Sequence, residues 1–332
     1  MATTVNTAFA EFMKDTVNLD SAQTKTARAS RDNLLANIKS FSGDSDFFLI
    51  NGSKCLRFGS FERHTKLRPL DDIDLMICIY GSDDRKSSHA GNGIYYMGAN
   101  DTDIKNGLNT VYTYTDHLNS TKVINRFISK LSELNDYSKA EMHKNHEAAT
   151  LKLKSYDWNF DIVPCFYCTG DFYLIPDGNG NWKKTDPRID NERTTEINQA
   201  HNGHLLELIR LVKYWNKRSI TYTMGSYMLE CMILSRYKNM STPDNWRIDV
   251  EFKNTLQYLS AAIYNSVNDP KGIQDDLNSF SYSEKAKISE ALSNAHTKAI
   301  EAFNLEFNDK DQKAAIKKWK EILGPCFPDY TG

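Results

Sequence analysis

The sequence predicts an α/β protein in two parts, a strand-bearing front half and an almost wholly helical back half. Residues 73 to 80 alternate apolar side chains at the strand period, and 149 to 166 read as two further strands. From about Ile197 onward apolar residues recur at helical spacing instead. The expected division is a core over 1–196, including N-terminal helices, and a helical domain over 197–332.

Taken in order, Phe9, Phe12 and Met13 fall at helix spacing. After the break at Asn18-Leu19-Asp20-Ser21, Ala27, Leu34, Leu35 and Ile38 mark a second helix. Lys54 to Phe58 reads as a short strand ending at a Gly59-Ser60 turn, and Ile73 to Tyr80 as a strong strand. Residues 81–120 are rich in Gly, Asn, Asp, Ser and Thr, the composition of a mobile surface insertion, with extended residues near Ile94–Tyr96 and Val111–Tyr114. A helix capped by Ser120 is expected from Thr121 to Leu134. Strands over Ala149–Tyr156 and Phe160–Phe166 are joined by Asp157-Trp158-Asn159. In the back half, Leu205, Leu208, Ile209, Val212 and Trp215 line one helix face, and a second helix starts near Gly225-Ser226. Amphipathic stretches follow over 252–266, 284–305 and 309–322, and Gly324-Pro325 ends the last.

Composition excludes several classes. With 41 basic against 43 acidic residues the formal net charge is −2, without the basic excess of a protein that tracks a nucleic-acid backbone. No apolar run approaches a membrane span. The segment MATTVNTAFAEF has neither the basic start nor the apolar run of a signal peptide. Six scattered cysteines are too sparse for a disulfide scaffold, so a reduced, cytoplasmic protein is expected.

The chemistry concentrates in the run FGSFERHTKLRPLDDIDL. Two residues along a strand is about 6.6 Å of rise and a return to the same face. Asp72 and Asp74 therefore point together, opposite Ile73, Leu75, Ile77 and Ile79. Two carboxylates so placed repel each other and keep their charge most cheaply around a divalent cation. Taken blind, D-x-D on a strand is more often a solvated face; the Gly-Ser turn and a third acid, Asp161, reverse those odds. Asp161 sits among apolar residues of a central strand, where an unpaired charge is costly and a metal relieves it.

Gly-Ser, then two aspartates one residue apart, then a third on a later strand resembles the DNA-polymerase-β type nucleotidyltransferase superfamily. The runs DIVP at 161–164, LIRLVKYWN at 208–216, GSYMLE at 225–230 and WKEILGPCFP at 319–328 are similar to the cGAS/DncV-like nucleotidyltransferases, over nearly the whole chain. This resemblance implies a small mixed sheet facing a helical bundle across a bilobed cleft. It implies that Asp72, Asp74 and Asp161 hold two Mg²⁺ ions, with Mn²⁺ as the substitute, for in-line attack of a ribose hydroxyl on an α-phosphate. Gly59 and Ser60 would hold the donor triphosphate, Lys213 and Ser226 would contact the same phosphates, and Tyr227 would stack on a base, which tolerates different bases. The implied product is a cyclic di- or trinucleotide made from ATP, GTP or pyrimidine triphosphates. In bacterial antiphage (CBASS) signalling it would activate an effector encoded elsewhere, the synthase itself being a monomer. The His/Cys-rich DNA-gripping insertion of the animal sensor has no counterpart here, so DNA binding is not expected.

Other readings stay open beside this one. A linear 2′-5′ oligonucleotide synthase, nucleotidyl transfer to a small molecule or RNA end, and an inactive nucleotide-binding module all use the same parts. Lys213 alone reads as a surface lysine, like Lys217 and Arg218; Ser226 alone reads as a helix cap and Tyr227 as a core aromatic. Asp101 and Asp103 copy the D-x-D spacing but fall in the insertion and read as solvated loop. Cys165 and Cys168 read as structural cysteines, since no second pair stands at zinc spacing.

Overall fold

The computed structural model describes residues 1–42, 44–81, 85–110, 116–219 and 222–332. In chain order it contains α1 (Val5–Phe12), continued by a π turn over Met13–Val17, α2 (Ser21–Ser40), β1 (Leu56–Phe58), α3 (Gly59–Glu62), β2 (Asp72–Ile79), β3 (Ser87–Gly91), β4 (Ile94–Met97), α4 (Asp101–Lys105), α5 (Ser120–Ser132), β5 (Glu141–Asn145), β6 (Ala148–Lys152), β7 (Asn159–Cys168), β8 (Phe172–Pro176) and β9 (Trp182–Thr185). Helices complete the chain: α6 (Pro187–Ala200), α7 (Leu205–Ser219), α8 (Ser226–Tyr237), α9 (Ile248–Ala262), α10 (Tyr282–Phe307) and α11 (Gln312–Leu323). Two compact units result. A sheet unit comprises Ala22–Arg63 and Leu70–Asn191, and a helical unit comprises Met1–Ser21, His64–Pro69 and Glu192–Gly332.

In the sheet unit the strand order is β1-β2-β7-β8-β9-β4-β3, with β6 on β7 and β5 on β6. Only β2 and β7 run parallel among these pairs, as in a mixed sheet. Past Asp74, β2 is buried at every residue from Leu75 to Ile79. Its run of apolar side chains is what a strand covered on both faces requires. The parallel register sets Asp72 beside Asn159 and Asp74 beside Asp161.

The sheet is larger than expected, because residues 81–120 are not a plain loop. β4 pairs with β9 through Tyr95 and Trp182, and β3 completes a hairpin on β4. Arg85 and Asp103 form an ion pair at 2.5 Å with both side chains about 5 % exposed. Asp103 also exchanges capping hydrogen bonds with Asn100 at the start of α4. Asp103 is thus a buried, paired structural acid, not a solvated one; the expectation for Val111–Tyr114 falls outside the described residues. The cap of α5 is Asn119, whose side chain accepts the Lys122 N–H, while Ser120 is buried as the first helical residue. β5, β8 and β9 lie where the sequence predicts no element, and at four or five residues each they are too short to show a clear period. Helix α6 starts at Pro187, well before Ile197, with proline in the first turn where its missing N–H is harmless.

The helical unit closes around Trp215, Trp319, Phe252, Leu208 and Leu256, all buried. Helix α1 belongs to this core. Phe9 meets Trp319 edge-on at 5.0 Å and Phe327 at 5.1 Å, and Phe12 meets Tyr214 at 5.1 Å. The grouping of the N-terminal helices with residues 1–196 therefore differs from the packing: aromatic burial draws α1 to the C-terminal helices. The segment His64–Pro69 joins the same unit. Leu67 enters its core, Arg210 donates to the His64 carbonyl, and Arg68 donates to the carbonyls of Asn18 and Asp15. Arg218 is exposed, as expected of a surface charge, and donates to the Leu323 carbonyl at the end of α11. Among the described residues no helix is long and apolar enough to cross a membrane.

Candidate active site

Three carboxylates meet in the sheet unit. One oxygen each from Asp72, Asp74 and Asp161 lies within 4.8 Å of the others, and all three side chains are half-buried. The D-x-D spacing on β2 accounts for two of them. The third comes through the parallel β2–β7 register, which sets Asp161 directly beside Asp74. Thr150, opposite Asp161 across the antiparallel β6–β7 pair, donates its hydroxyl to Asp161 Oδ1 at 2.5 Å. Thr150 is 4 % exposed, so this bond orients the carboxylate from inside the sheet. Sequence reading missed Thr150; the hairpin register is the signal that finds it.

The Gly59-Ser60 turn opens α3 immediately after β1, and β1 pairs antiparallel with β2 through Phe58 and Asp74. Gly59 has φ of +75°, a left-handed conformation that disfavours any side chain, and a β-carbon there would collide with the Asp74 carboxylate. Glycine is required on both counts. The short α3 is held from α2: Arg31, 4 % exposed, donates to Glu62 at 3.1 Å and to Asp32 at 3.1 Å, and Asp32 also receives Arg57 at 3.0 Å. All-oxygen donors near the starts of two adjacent strands, with no thiol or imidazole among them, suit a hard divalent cation.

The remaining candidates lie in the helical unit. Lys213 is 4 % exposed, unlike a surface lysine. Its ammonium sits 2.6 Å from Glu230 on α8 and donates to the Thr65 carbonyl at 2.9 Å, while the Thr65 hydroxyl donates to the same Glu230 at 3.1 Å. Glu230 and Thr65 fall within runs the sequence singles out, but nothing in the sequence pairs them with Lys213, because both are distant from it in the chain. Ser226 is the first residue of α8, with Gly225 as the cap, so Ser226 is not itself the cap. Tyr227 is half-buried, its ring packed on the helical core and its hydroxyl donating to Asp269 at 2.8 Å. Cys165 is buried and Cys168 half-buried. Burial pushes both thiols up, Cys168 to about 11, which leaves them unreactive at neutral pH.

No protein-family model matches the chain. A probable cyclic nucleotide synthase of Bacillus cereus is 41 % identical, with 99 % of each chain covered. A cyclic AMP-AMP-AMP synthase of an Acinetobacter species is 27 % identical over 59 % of this chain and 57 % of that one. Among solved structures, Escherichia coli CdnC in complex with a HORMA protein superposes with a TM-score of 0.69 at 18 % identity, covering 97 % of this chain and 98 % of CdnC. Vibrio cholerae DncV, a cyclic AMP-GMP synthase solved with its linear intermediate, superposes with a TM-score of 0.69 at 10 % identity, covering 99 % and 98 %. The structural likenesses establish the nucleotidyltransferase fold, and the full-length Bacillus relative establishes the family. This chain belongs to the cGAS/DncV-like nucleotidyltransferases, the cyclic nucleotide synthases.

Proposed function

We propose that this nucleotidyltransferase joins two or three ribonucleoside triphosphates into a cyclic oligonucleotide and releases pyrophosphate at each bond. The observation that carries the proposal is the convergence of Asp72, Asp74 and Asp161, with ligand oxygens within 4.8 Å, beside a glycine that leaves Asp74 its space. These carboxylates would hold Mg²⁺, or Mn²⁺ in its place, which when bound neutralises triphosphate charge and lowers the pKa of the attacking ribose hydroxyl.

The chain's own residues supply the rest. The amides of the Gly59-Ser60 turn and the Ser60 hydroxyl bind the donor triphosphate. Asp161, held by Thr150, faces the acceptor hydroxyl and takes or relays its proton. The hydroxyl oxygen bonds to the α-phosphorus, the bond to the β-phosphate breaks, and pyrophosphate leaves. In the last attack the free hydroxyl of the linear product bonds to the α-phosphorus of its own remaining triphosphate, closing the ring and releasing the final pyrophosphate. Ser226 binds phosphate, and Tyr227 stacks on a base. Lys213 serves the triphosphate in competition with Glu230, since the ammonium is already paired there. The antiphage signalling role and a product-activated effector follow from the family alone and are part of this proposal.

Incubation of the protein with all four NTPs and Mg²⁺ or Mn²⁺, followed by phosphatase treatment and mass spectrometry, tests it. A phosphatase-resistant cyclic product is expected, absent from the Asp72→Ala/Asp74→Ala variant. A phosphatase-sensitive linear oligomer, or an end-modified RNA, would replace the cyclase reading. Pyrophosphate release that survives in the double variant would remove the site assignment.

A further inference from the structure

Tyr227 is held by two charged groups that the sequence does not connect to it. They come from the loop after α9. Asp269, 6 % exposed, accepts the Tyr227 O–H at 2.8 Å. The Lys271 ammonium stands 3.1 Å from the same Asp269 oxygen, donates to the Tyr227 hydroxyl oxygen, and lies 4.1 Å from the ring centroid. The phenol is thus engaged both as donor and as acceptor.

Asp269 is also the hub of its own loop, accepting the backbone N–H groups of Lys271 and Ile273 at 3.2 Å each and of Gln274 at 3.0 Å. Burial by itself would raise its pKa. The Gln274 N–H, the Tyr227 hydroxyl and Lys271 outweigh burial and hold it at about 2. The loop is pinned further: Asp276 accepts the Val267 N–H at 2.8 Å, and Asn278 donates to the carbonyls of Ile263 and Asn265 at 2.7 and 2.8 Å. The Lys271–Asp269 ion pair adds to these loop contacts a charged group at each side of one phenol, that of Tyr227 at the start of α8, next to Ser226.

We propose that Asp269 and Lys271 are positioning residues that lock the Tyr227 ring in one orientation, as a preset stacking platform for the base of a nucleoside triphosphate. This rests on the stacking role assigned to Tyr227 above. A ring fixed before the ligand arrives loses no rotamer freedom on binding. With its hydroxyl engaged by the clamp, Tyr227 would meet a base through a ring face rather than a hydrogen-bonding edge, so this wall would accept any base and discrimination would fall to other groups.

Binding of fluorescent non-hydrolysable ATP and GTP analogues, together with KM and kcat, tests the clamp in the full chain. Asp269→Asn, Lys271→Met and Tyr227→Phe, which keeps the ring but loses the tether, are each expected to weaken binding about 5- to 10-fold. The loss should be alike for ATP and GTP and appear in KM rather than kcat. In the Tyr227→Phe background, Asp269→Asn should add nothing. Equal weakening by Asp269→Asn in both backgrounds, or none in either, means Asp269 serves only its loop and overturns the proposal. If Asp269→Asn does not fold, Lys271→Met decides by the same comparison. Tyr227→Leu separates the two readings. Unchanged analogue binding there removes the stacking role itself, whereas weakened binding confined to Tyr227→Leu removes only the clamp.

Discussion

Gly59 and Asp74 share a space that one added carbon would fill: at φ of +75°, a Gly59 β-carbon would run into the Asp74 carboxylate. Gly59→Ala is therefore expected to displace a carboxylate of the proposed metal site while straining the turn. A displacement near 1 Å lowers turnover about 100-fold, whereas the backbone strain amounts to only about 1–2 kcal/mol. Pyrophosphate release and the urea midpoint measure the two separately. Activity within tenfold of the parent chain would show that Asp74 has room to move.

Thr150 orients Asp161 from the neighbouring strand. Thr150→Val keeps the branched shape and loses the hydroxyl, so stability should fall by about 1 kcal/mol. The more telling effect is on the cation: the Mn²⁺ concentration for half-maximal pyrophosphate release should rise about tenfold, in the manner of lost supporting contacts at metal sites. An unshifted Mn²⁺ titration would reduce Thr150 to a packing residue.

The buried Lys213–Glu230 pair makes a sign-specific prediction. Lys213→Met or Glu230→Gln alone leaves a buried partner uncompensated, and Lys213→Met should lose about 3–5 kcal/mol in urea unfolding. The Lys213→Met/Glu230→Leu double variant replaces both charges by apolar groups and should recover most of that loss. Its KM for NTP should nevertheless stay high, because recovering the fold does not restore a cation for the triphosphate. Normal KM in the double variant would make the pair purely structural.

Asp269 couples stability to acid. Its folded pKa of about 2 lies below the ordinary 3.8, so the contribution is complete above about pH 4 and fades as the pH falls toward 2. Urea midpoints of the parent chain and Asp269→Asn should differ most above pH 4 and converge near pH 2. A constant gap across that range would mean that the carboxylate charge is not what stabilises the loop.

The helices beyond Leu205 were legible because their apolar residues recur over three or more turns. Sequence placed α7, α8 and α11 nearly at their observed bounds. β5, β8 and β9 were not legible, being too short to show a period, and their partners are set by the sheet. Residues 81–120 misled for a different reason. Their polar composition matches a loop, but Asp103 there is neutralised by Arg85, which no local pattern records. The departure of α1 from the front half has the same origin, since Phe9 and Phe12 find Trp319 and Phe327 only after the whole chain has folded.

By itself the sequence determined the strand that carries Asp72 and Asp74, the turn at Gly59-Ser60, the candidate third acid and the order of the helices. These are short-range properties: side-chain alternation, backbone freedom and helical spacing act within a few residues. Only the tertiary structure decided that Asp161 stands beside Asp74, that Thr150 holds it, and that Lys213 and Tyr227 are tied to Glu230 and Asp269. A parallel register and a buried charge pair join residues far apart in the chain. The free energy that selects them comes from burying strands and charges against partners that exist only in the folded protein.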